Sequence, residues 1–362
     1  MVAACARHGD APAPRPSGSA VASPAPSAPP PAFTVPPARV AAAPTAFGPP
    51  SFADLAARAN LAVVFLETEQ TMFGRGRRLV AGGVGTGFVF DPSGLILTNY
   101  HVIANASRVD AVFGEEDRKR ATVVGADAPT DVAVLRVDAK GLPFLPLGDS
   151  DKARVGDWVV AIGNPFSLSH TVSAGILSAR GRTRNDVRGL DPSGYYDYLQ
   201  TDASINPGNS GGPLLDLAGQ VIGMNTAIKP EANSIGFAIP IDMIRELLPM
   251  LVSQGKIRRS AMGVMVATVK PEDVARLGLR TRNGAIVTRV VPGGPGDHAG
   301  LAVDDVIIGF DEVTGAGPNR LRWLTSIAGV GKKARLKVAR DRTILDVTVT
   351  LGELPEVAES AP

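Results

Sequence analysis

Three residues far apart in the chain have side chains that could together perform hydrolysis. The stretch Asn206-Pro207-Gly208-Asn209-Ser210-Gly211-Gly212-Pro213-Leu214 sets a serine among glycines. A serine hydroxyl is a weak nucleophile until a base takes its proton and donors meet the oxyanion its attack creates. Glycines on both sides let the backbone turn tightly enough for successive N–H groups, those of Gly208 and Ser210 foremost, to converge beside Oγ. His101 follows the apolar run Leu95-Ile96-Leu97, which places a base at a strand's end. Asp131, in Thr130-Asp131-Val132-Ala133-Val134-Leu135, precedes a second strand, where its carboxylate can accept the imidazole Nδ1–H. In the order His, Asp, Ser these roles match the acyl-transfer triad. Gly208 to Gly212 also fits G-x-S-x-G, the elbow of α/β-hydrolases, but that fold needs a histidine after the serine. The histidine downstream is His298, which lies in another domain, so the elbow reading fails.

The elements that must hold these residues are short and β-rich. A helix is expected over Phe52 to Asn60, capped by Ser51. Strands are expected at 62–66, 86–90, 95–98, 121–125, 132–137, 158–162, 171–178, 214–216, 221–226 and 235–239, punctuated by Gly, Pro and Asp. That spacing argues for barrels. A helix over 241–253, between Pro240 and Gly255, closes the region. A second unit follows Arg258-Arg259, with strands at 262–269, 285–291, 305–310, 334–339 and 345–351 and helices at 271–277 and 319–328. The glycine run Gly82-Gly83-Val84-Gly85-Thr86-Gly87 lacks the Lys-Ser/Thr of a phosphate loop and reads as backbone of the first barrel.

Composition bounds the rest. Residues 1–50 hold 13 of the 30 prolines and 15 alanines, an extended tether with too few apolar groups to order itself. The remainder of the 362 residues suffices for two domains. With 37 basic against 35 acidic side chains, the net charge of +2 gives no reason to expect nucleic acid or an anionic membrane surface as partner. The single Cys5 excludes an internal disulfide, and neither His170 nor His298 has ligand-like spacing, so no metal and no cofactor is expected. Val2-Ala3-Ala4-Cys5 reads in two ways. It is the end of a bacterial lipoprotein signal whose basic and apolar parts lie upstream, with lipid on Cys5, or it is a coincidence of small residues.

Residues 51–350 resemble the HtrA/Deg family of trypsin-fold serine endopeptidases with one C-terminal PDZ domain. The likeness is carried by Leu97-Thr98-Asn99, His101-Val102, Asp131-Val132-Ala133-Val134-Leu135, Gly163-Asn164-Pro165-Phe166, Gln200-Thr201-Asp202-Ala203, Gly208 to Leu214 and Ile235-Gly236-Phe237-Ala238-Ile239-Pro240. Gly300-Leu301 and Asp305-Val306-Ile307 match the PDZ part. The resemblance implies a mainly β chain: a tether over 1–50, a two-barrel chymotrypsin-like protease domain over 51–257, a small α+β PDZ domain over 258–353 and a disordered tail over 354–362. It implies ATP-independent hydrolysis of peptide bonds in unfolded or signalling proteins. Ser210 would attack, His101 shuttle the proton and Asp131 orient the ring, while the N–H groups of Gly208, Asn209 and Ser210 form the oxyanion hole.

Further expectations rest on the same likeness. Ile205, Ala227 and Ile228 would line an apolar substrate pocket, with Asp202 as the nearest acid or a structural group. Ala261-Met262-Gly263-Val264 would hold the carboxylate of C-terminal peptides, Arg182 would sit in an activation loop, and aromatics near Phe52 would join a homotrimer. The setting implied is the bacterial cell envelope or periplasm. A peptide-binding scaffold or holdase chaperone with a latent protease domain is the alternative.

Overall fold

The computed structural model describes residues 51–74, 77–114, 116–164, 171–187, 189–226 and 235–355. The tether with Cys5, Pro165 and Phe166, His170, the pocket candidates Ala227 and Ile228, and the tail from 356 lie outside the described residues.

Two closed six-stranded barrels carry the first 200 or so described residues. Helix α1 (Ala53–Asn60) leads in, with Phe52 rather than Ser51 at its N-cap; Ser51 Oγ accepts from the Ala53 N–H one step earlier at 3.4 Å. The first barrel comprises β1 (Val63–Gly74), β2 (Arg77–Asp91), β3 (Leu95–Thr98), β4 (Arg108–Phe113), β5 (Asp117–Asp127) and β6 (Val132–Val137). Its order is β1-β2-β3-β6-β5-β4. A single turn of helix, α2 (Tyr100–Ile103), follows β3, so His101 stands on a helix rather than on the strand's end. The second barrel comprises β7 (Trp158–Gly163), β8 (Thr171–Arg182), β9 (Tyr198–Thr201), β10 (Pro213–Leu215), β11 (Val221–Thr226) and β12 (Gly236–Pro240), in the order β10-β11-β12-β9-β8-β7.

The barrels share a core. One apolar cluster runs from Leu66, Phe88 and Ile96 of the first to Ile162, Met224 and Ile239 of the second. Burying each such side chain contributes about 1.5–3 kcal/mol. Helix α3 (Ile241–Gln254) leaves the second barrel and lies across the first. Its C-cap Gly255 accepts from the Ala126 N–H at 3.1 Å, and Gly125 makes room: a Cβ there would stand 2.3 Å from the Leu251 carbonyl oxygen.

The second domain is a twisted sheet with helices. Its elements are β13 (Ser260–Ala261), β14 (Val264–Thr268), α4 (Pro271–Leu277), β15 (Ala285–Val290), α5 (Pro295–His298), β16 (Val306–Phe310), β17 (Val313–Thr314), α6 (Pro318–Ile327), β18 (Lys333–Arg340), β19 (Thr343–Thr350) and β20 (Gly352–Glu353). The main sheet runs β14-β15-β16-β18-β19, and β13 pairs with β20 in a separate ribbon. Leu354, expected in the disordered tail, donates its N–H to the Arg259 carbonyl at 2.9 Å, so the ordered chain reaches past 353.

Helix α6 docks this domain on the first. Arg259, just ahead of β13, is buried with its guanidinium on the Asp127 carboxylate and on Ser326 Oγ at 3.0 Å. Arg322 of α6 donates to the carbonyls of Ser193 and Gly194 at 2.7 and 2.9 Å. The Tyr195 ring lies between Arg259 and Arg322, 4.1 and 4.2 Å from the two guanidinium carbons, and edge-on to Trp323 at 5.7 Å.

Candidate active site

Asp131 is held through its backbone and its carboxylate. It closes the 3-10 turn Ala128–Thr130 in the left-handed region (φ 59°), a conformation aspartate tolerates better than most residues. Its carbonyl accepts from the Asn99 side chain and the Tyr100 N–H, both at 3.1 Å. Its carboxylate accepts from the His101 N–H at 2.9 Å and meets the His101 Nδ1 at 2.8 Å. Thr226 Oγ1, at the end of β11 in the other barrel, donates to the same carboxylate at 3.3 Å. One carboxylate therefore fixes both the backbone and the ring of His101, and a bond from each barrel holds it.

That geometry selects a tautomer. An imidazole whose Nδ1–H is held by a carboxylate presents Nε2 as a base on its far side, and the imidazolium formed on protonation is stabilised where it stands. The His101 side chain is 47% exposed, open enough for a substrate to reach it. Burial, and then the negative charge of Asp131, push the Tyr198 phenol far above its ordinary pKa, so it stays protonated beside the carboxylate.

Ser210 sits on the turn between Asn206 and β10, and the turn is locked from both barrels. The Ser210 carbonyl accepts from the Thr86 N–H of β2 at 2.9 Å, and the Gly211 N–H donates to the Asn225 carbonyl at 2.9 Å. Gly208 and Gly211 have φ of 102° and 84°, which glycine alone adopts without strain. At Gly211 there is no room either: a Cβ would lie 2.1 Å from the Thr86 carbonyl oxygen and 2.4 Å from Thr98 Oγ1.

The remaining sequence candidates fall into place unevenly. The Asn209 N–H, expected among the oxyanion donors, is committed to the Asn206 carbonyl at 2.9 Å; it closes the turn and has nothing left for a substrate oxygen. Among the described residues the Gly208 N–H has no acceptor. Ile205 is half-buried against the small second-barrel cluster of Val159, Leu177 and Leu214. Asp202 accepts from the Ile176 N–H at 2.7 Å and braces the barrel. Arg182, at the end of β8, bonds Gln200 at 2.8 Å and Asp186 at 3.5 Å, both within the second barrel and its long loop.

In the second domain, Ala261 lies in the β13 ribbon and the Met262 side chain is buried in the domain core. The carbonyls of Met262 and Gly263 accept from the Gly296 and Val291 N–H groups at 2.7 and 2.9 Å. Val264 opens β14, which is an edge of the main sheet. Phe52 packs its ring on Trp158 at 5.7 Å. No group of three or more metal-ligating side chains occurs among the described residues.

Two contributors gave little signal in the sequence. Thr226 ends a fully buried strand and reads as core. Thr86 hides in a glycine run, where Gly85 and Gly87 let β2 lie close on α2 and β3 of its own barrel.

Comparison with known proteins agrees with this architecture. Residues 85–224 match the trypsin-like peptidase domain family and residues 260–351 the PDZ domain family. A protein of Chlamydia muridarum named a probable periplasmic serine endoprotease, DegP-like, is 40% identical over 274 residues, 75% of this chain and 54% of its own length. A protein of the same name from Ectopseudomonas mendocina is 39% identical over 284 residues, 78% of this chain and 59% of its own. The chain thus spans little more than half the length of these relatives. Among solved structures, the HtrA-type protease AlgW with a tripeptide superposes with a TM-score of 0.73 at 37% identity, covering 84% of this chain and 98% of AlgW. A serine endoprotease from Yersinia pestis gives 0.62 at 31%, covering 85% and 100%. Two closed barrels, a PDZ domain docked on them and likeness to a solved chain over nearly its whole length place this protein in the family of HtrA-type proteases.

Proposed function

We propose that the chain is an ATP-independent serine endopeptidase that cuts unfolded or signalling proteins and is controlled by C-terminal peptides at its PDZ domain. The observation that carries the reading is Asp131 holding both the backbone and the ring of His101, beside a serine turn locked to the same barrel. In this reading His101 Nε2 takes the proton of Ser210 Oγ as the oxygen attacks the substrate carbonyl, then returns it to the leaving amine. Asp131 keeps the tautomer and stabilises the imidazolium. The N–H groups of Gly208 and Ser210 meet the oxyanion, each such donor being worth about 2.7–4 kcal/mol in the transition state.

Peptide control is supported by the free edge of β14, to which a peptide can add as a strand with its carboxylate at the 261–264 loop. Arg182 ends the strand that leads into the loop α6 touches through Arg322, which supports a relay from peptide to protease. Ile205, with Ala227 and Ile228, would favour aliphatic side chains at the cut. The periplasmic relatives support a place in the bacterial envelope, with lipid on Cys5 as anchor. The partly exposed Trp158 beside Phe52 supports a homotrimer through that region.

The test is cleavage of unfolded casein by the full chain and by Ser210→Ala, with and without a C-terminal peptide library. Cleavage that falls by at least about 10⁴-fold in the variant, and rises with peptide in the parent, is the expected result. Saturable peptide binding by both proteins without cleavage would move the reading to a scaffold or holdase.

A further inference from the structure

Thr86 of β2 reaches across the barrel seam, and we infer that its hydroxyl is a positioning residue for the nucleophile turn, keeping the Gly208 carbonyl out of the oxyanion site. The inference rests on the peptidase reading for its catalytic consequence, though not for the clamp itself. Thr86 is fully buried, yet each of its polar groups is engaged with the other barrel or with the strand beside it. Its N–H donates to the Ser210 carbonyl at 2.9 Å, and its own carbonyl accepts from Thr98 Oγ1 at 2.8 Å. Its hydroxyl donates to the Gly208 carbonyl and accepts from the Asn164 N–H at 2.9 Å. One hydroxyl thus bridges the nucleophile turn to the end of β7.

The peptide plane between Gly208 and Asn209 is pinned at both ends. Its carbonyl is held by Thr86 Oγ1 and its N–H by the Asn206 carbonyl. A peptide unit is rigid, so it turns as a whole. Rotating it would swing a carbonyl dipole toward the place where negative charge develops, replacing stabilisation by repulsion. With φ of 102°, Gly208 is free enough in its backbone to permit that rotation, so something outside the turn must oppose it. Thr86 supplies the opposing bond from the other barrel.

The glycines around Thr86 now have a reason. Side chains of a strand alternate between faces, so 85 and 87 face away from 86. A Cβ at Gly85 would stand 2.5 Å from Val102, and one at Gly87 would stand 2.8 Å from Ile96. Without side chains there, β2 lies close on α2 and β3 while Thr86 projects to the second barrel. Val102 neighbours His101 in α2, so the same strand that clamps the serine turn packs beneath the base.

The test compares Thr86→Val, which keeps shape and loses the hydroxyl, with Thr86→Ser, which keeps the hydroxyl. In peptide hydrolysis Thr86→Val should lower kcat by about 10²-fold with KM little changed, the size of a lost oxyanion donor. Thr86→Ser should restore most of it. A peptidyl boronic acid, which mimics the tetrahedral adduct, should lose affinity for Thr86→Val in step with kcat/KM, whereas the matching peptide amide should not. Amide hydrogen exchange of the segments carrying Asn164 and 207–212 should quicken in Thr86→Val alone. If Thr86→Val does not fold, Thr86→Ala carries the same comparison.

Equal kcat in Thr86→Val and parent would overturn the inference, as would losses that Thr86→Ser fails to restore. Unchanged exchange in Thr86→Val would overturn the clamp itself. An inactive parent showing the expected exchange pattern would sink the peptidase reading and leave the clamp standing.

Discussion

The two seams of this molecule are built from opposite materials. Above the shared apolar core, around the serine turn, the barrels meet through backbone groups and hydroxyls of Thr86, Thr98, Thr226 and Asn225, with no room for a side chain at Gly211. Between the first domain and α6, contacts are made by long cations and aromatic rings: Arg259, Arg322, Tyr195 and Trp323. This second seam borders an open pocket of about 350 Å³, lined in part by Tyr196, Asp197, Arg320 and Trp323. Short groups in direct contact define one geometry, as a nucleophile and its donors require. Long side chains around an open pocket can exchange partners at little steric cost, as the proposed control by the second domain would require.

Substitutions can set the two seams against each other. The largest effect is expected for Gly211→Ala, which forces a Cβ into the Thr86 carbonyl and strains a positive φ. Loss of roughly 4 kcal/mol or more, read as a collapse in urea midpoint or failure to accumulate soluble protein, is expected. A stable Gly211→Ala protein would show that the barrel seam yields more readily than its geometry suggests.

Next is Arg259→Ala, which leaves the buried Asp127 carboxylate without its partner and should cost about 3–5 kcal/mol. In a double-mutant cycle, Asp127→Asn added to Arg259→Ala should recover most of that loss, because the penalty is an unpaired buried charge. Additive losses would mean that Arg259 acts mainly through its ring contacts. The smallest effect is Arg322→Ala, at about 1 kcal/mol, since its two bonds and its stacking on Tyr195 are made by an exposed side chain. Chemical denaturation resolves it, and a cost as large as that of Arg259→Ala would erase the distinction drawn within this seam.

The sequence was most legible where pattern and core coincide. Strands β3, β6 and β11 fall where alternating or continuous apolar runs predict them, because their side chains fill barrel interiors. Strand β4 was hidden because its buried Asp110 is neutralised by Arg108 and Arg120 from the surface, which breaks the apolar signature. The hairpin of β1 and β2 runs much longer than its apolar part. Residues 67–74 pair in register with 77–84, and the mixed sequence of that stretch carries no strand periodicity. At the site, order along the chain is enough to suggest His101, Asp131 and Ser210 as partners. The commitment of the Asn209 N–H to Asn206 and the cross-barrel reach of Thr86 are three-dimensional facts with no linear trace.

The ribbon of β13 and β20 has a consequence for how this chain can be assembled. Ser260 and Ala261 lie against Glu353 and Gly352, and Leu354 is tied to Arg259. The second domain therefore begins and finishes at one spot, like a bead whose thread comes in and leaves through the same hole. Such a bead can be duplicated, exchanged or excised without leaving a gap in the thread. The edge strand β14 is not part of that ribbon, so the thread's hole and the open side of the main sheet are separate features of the bead.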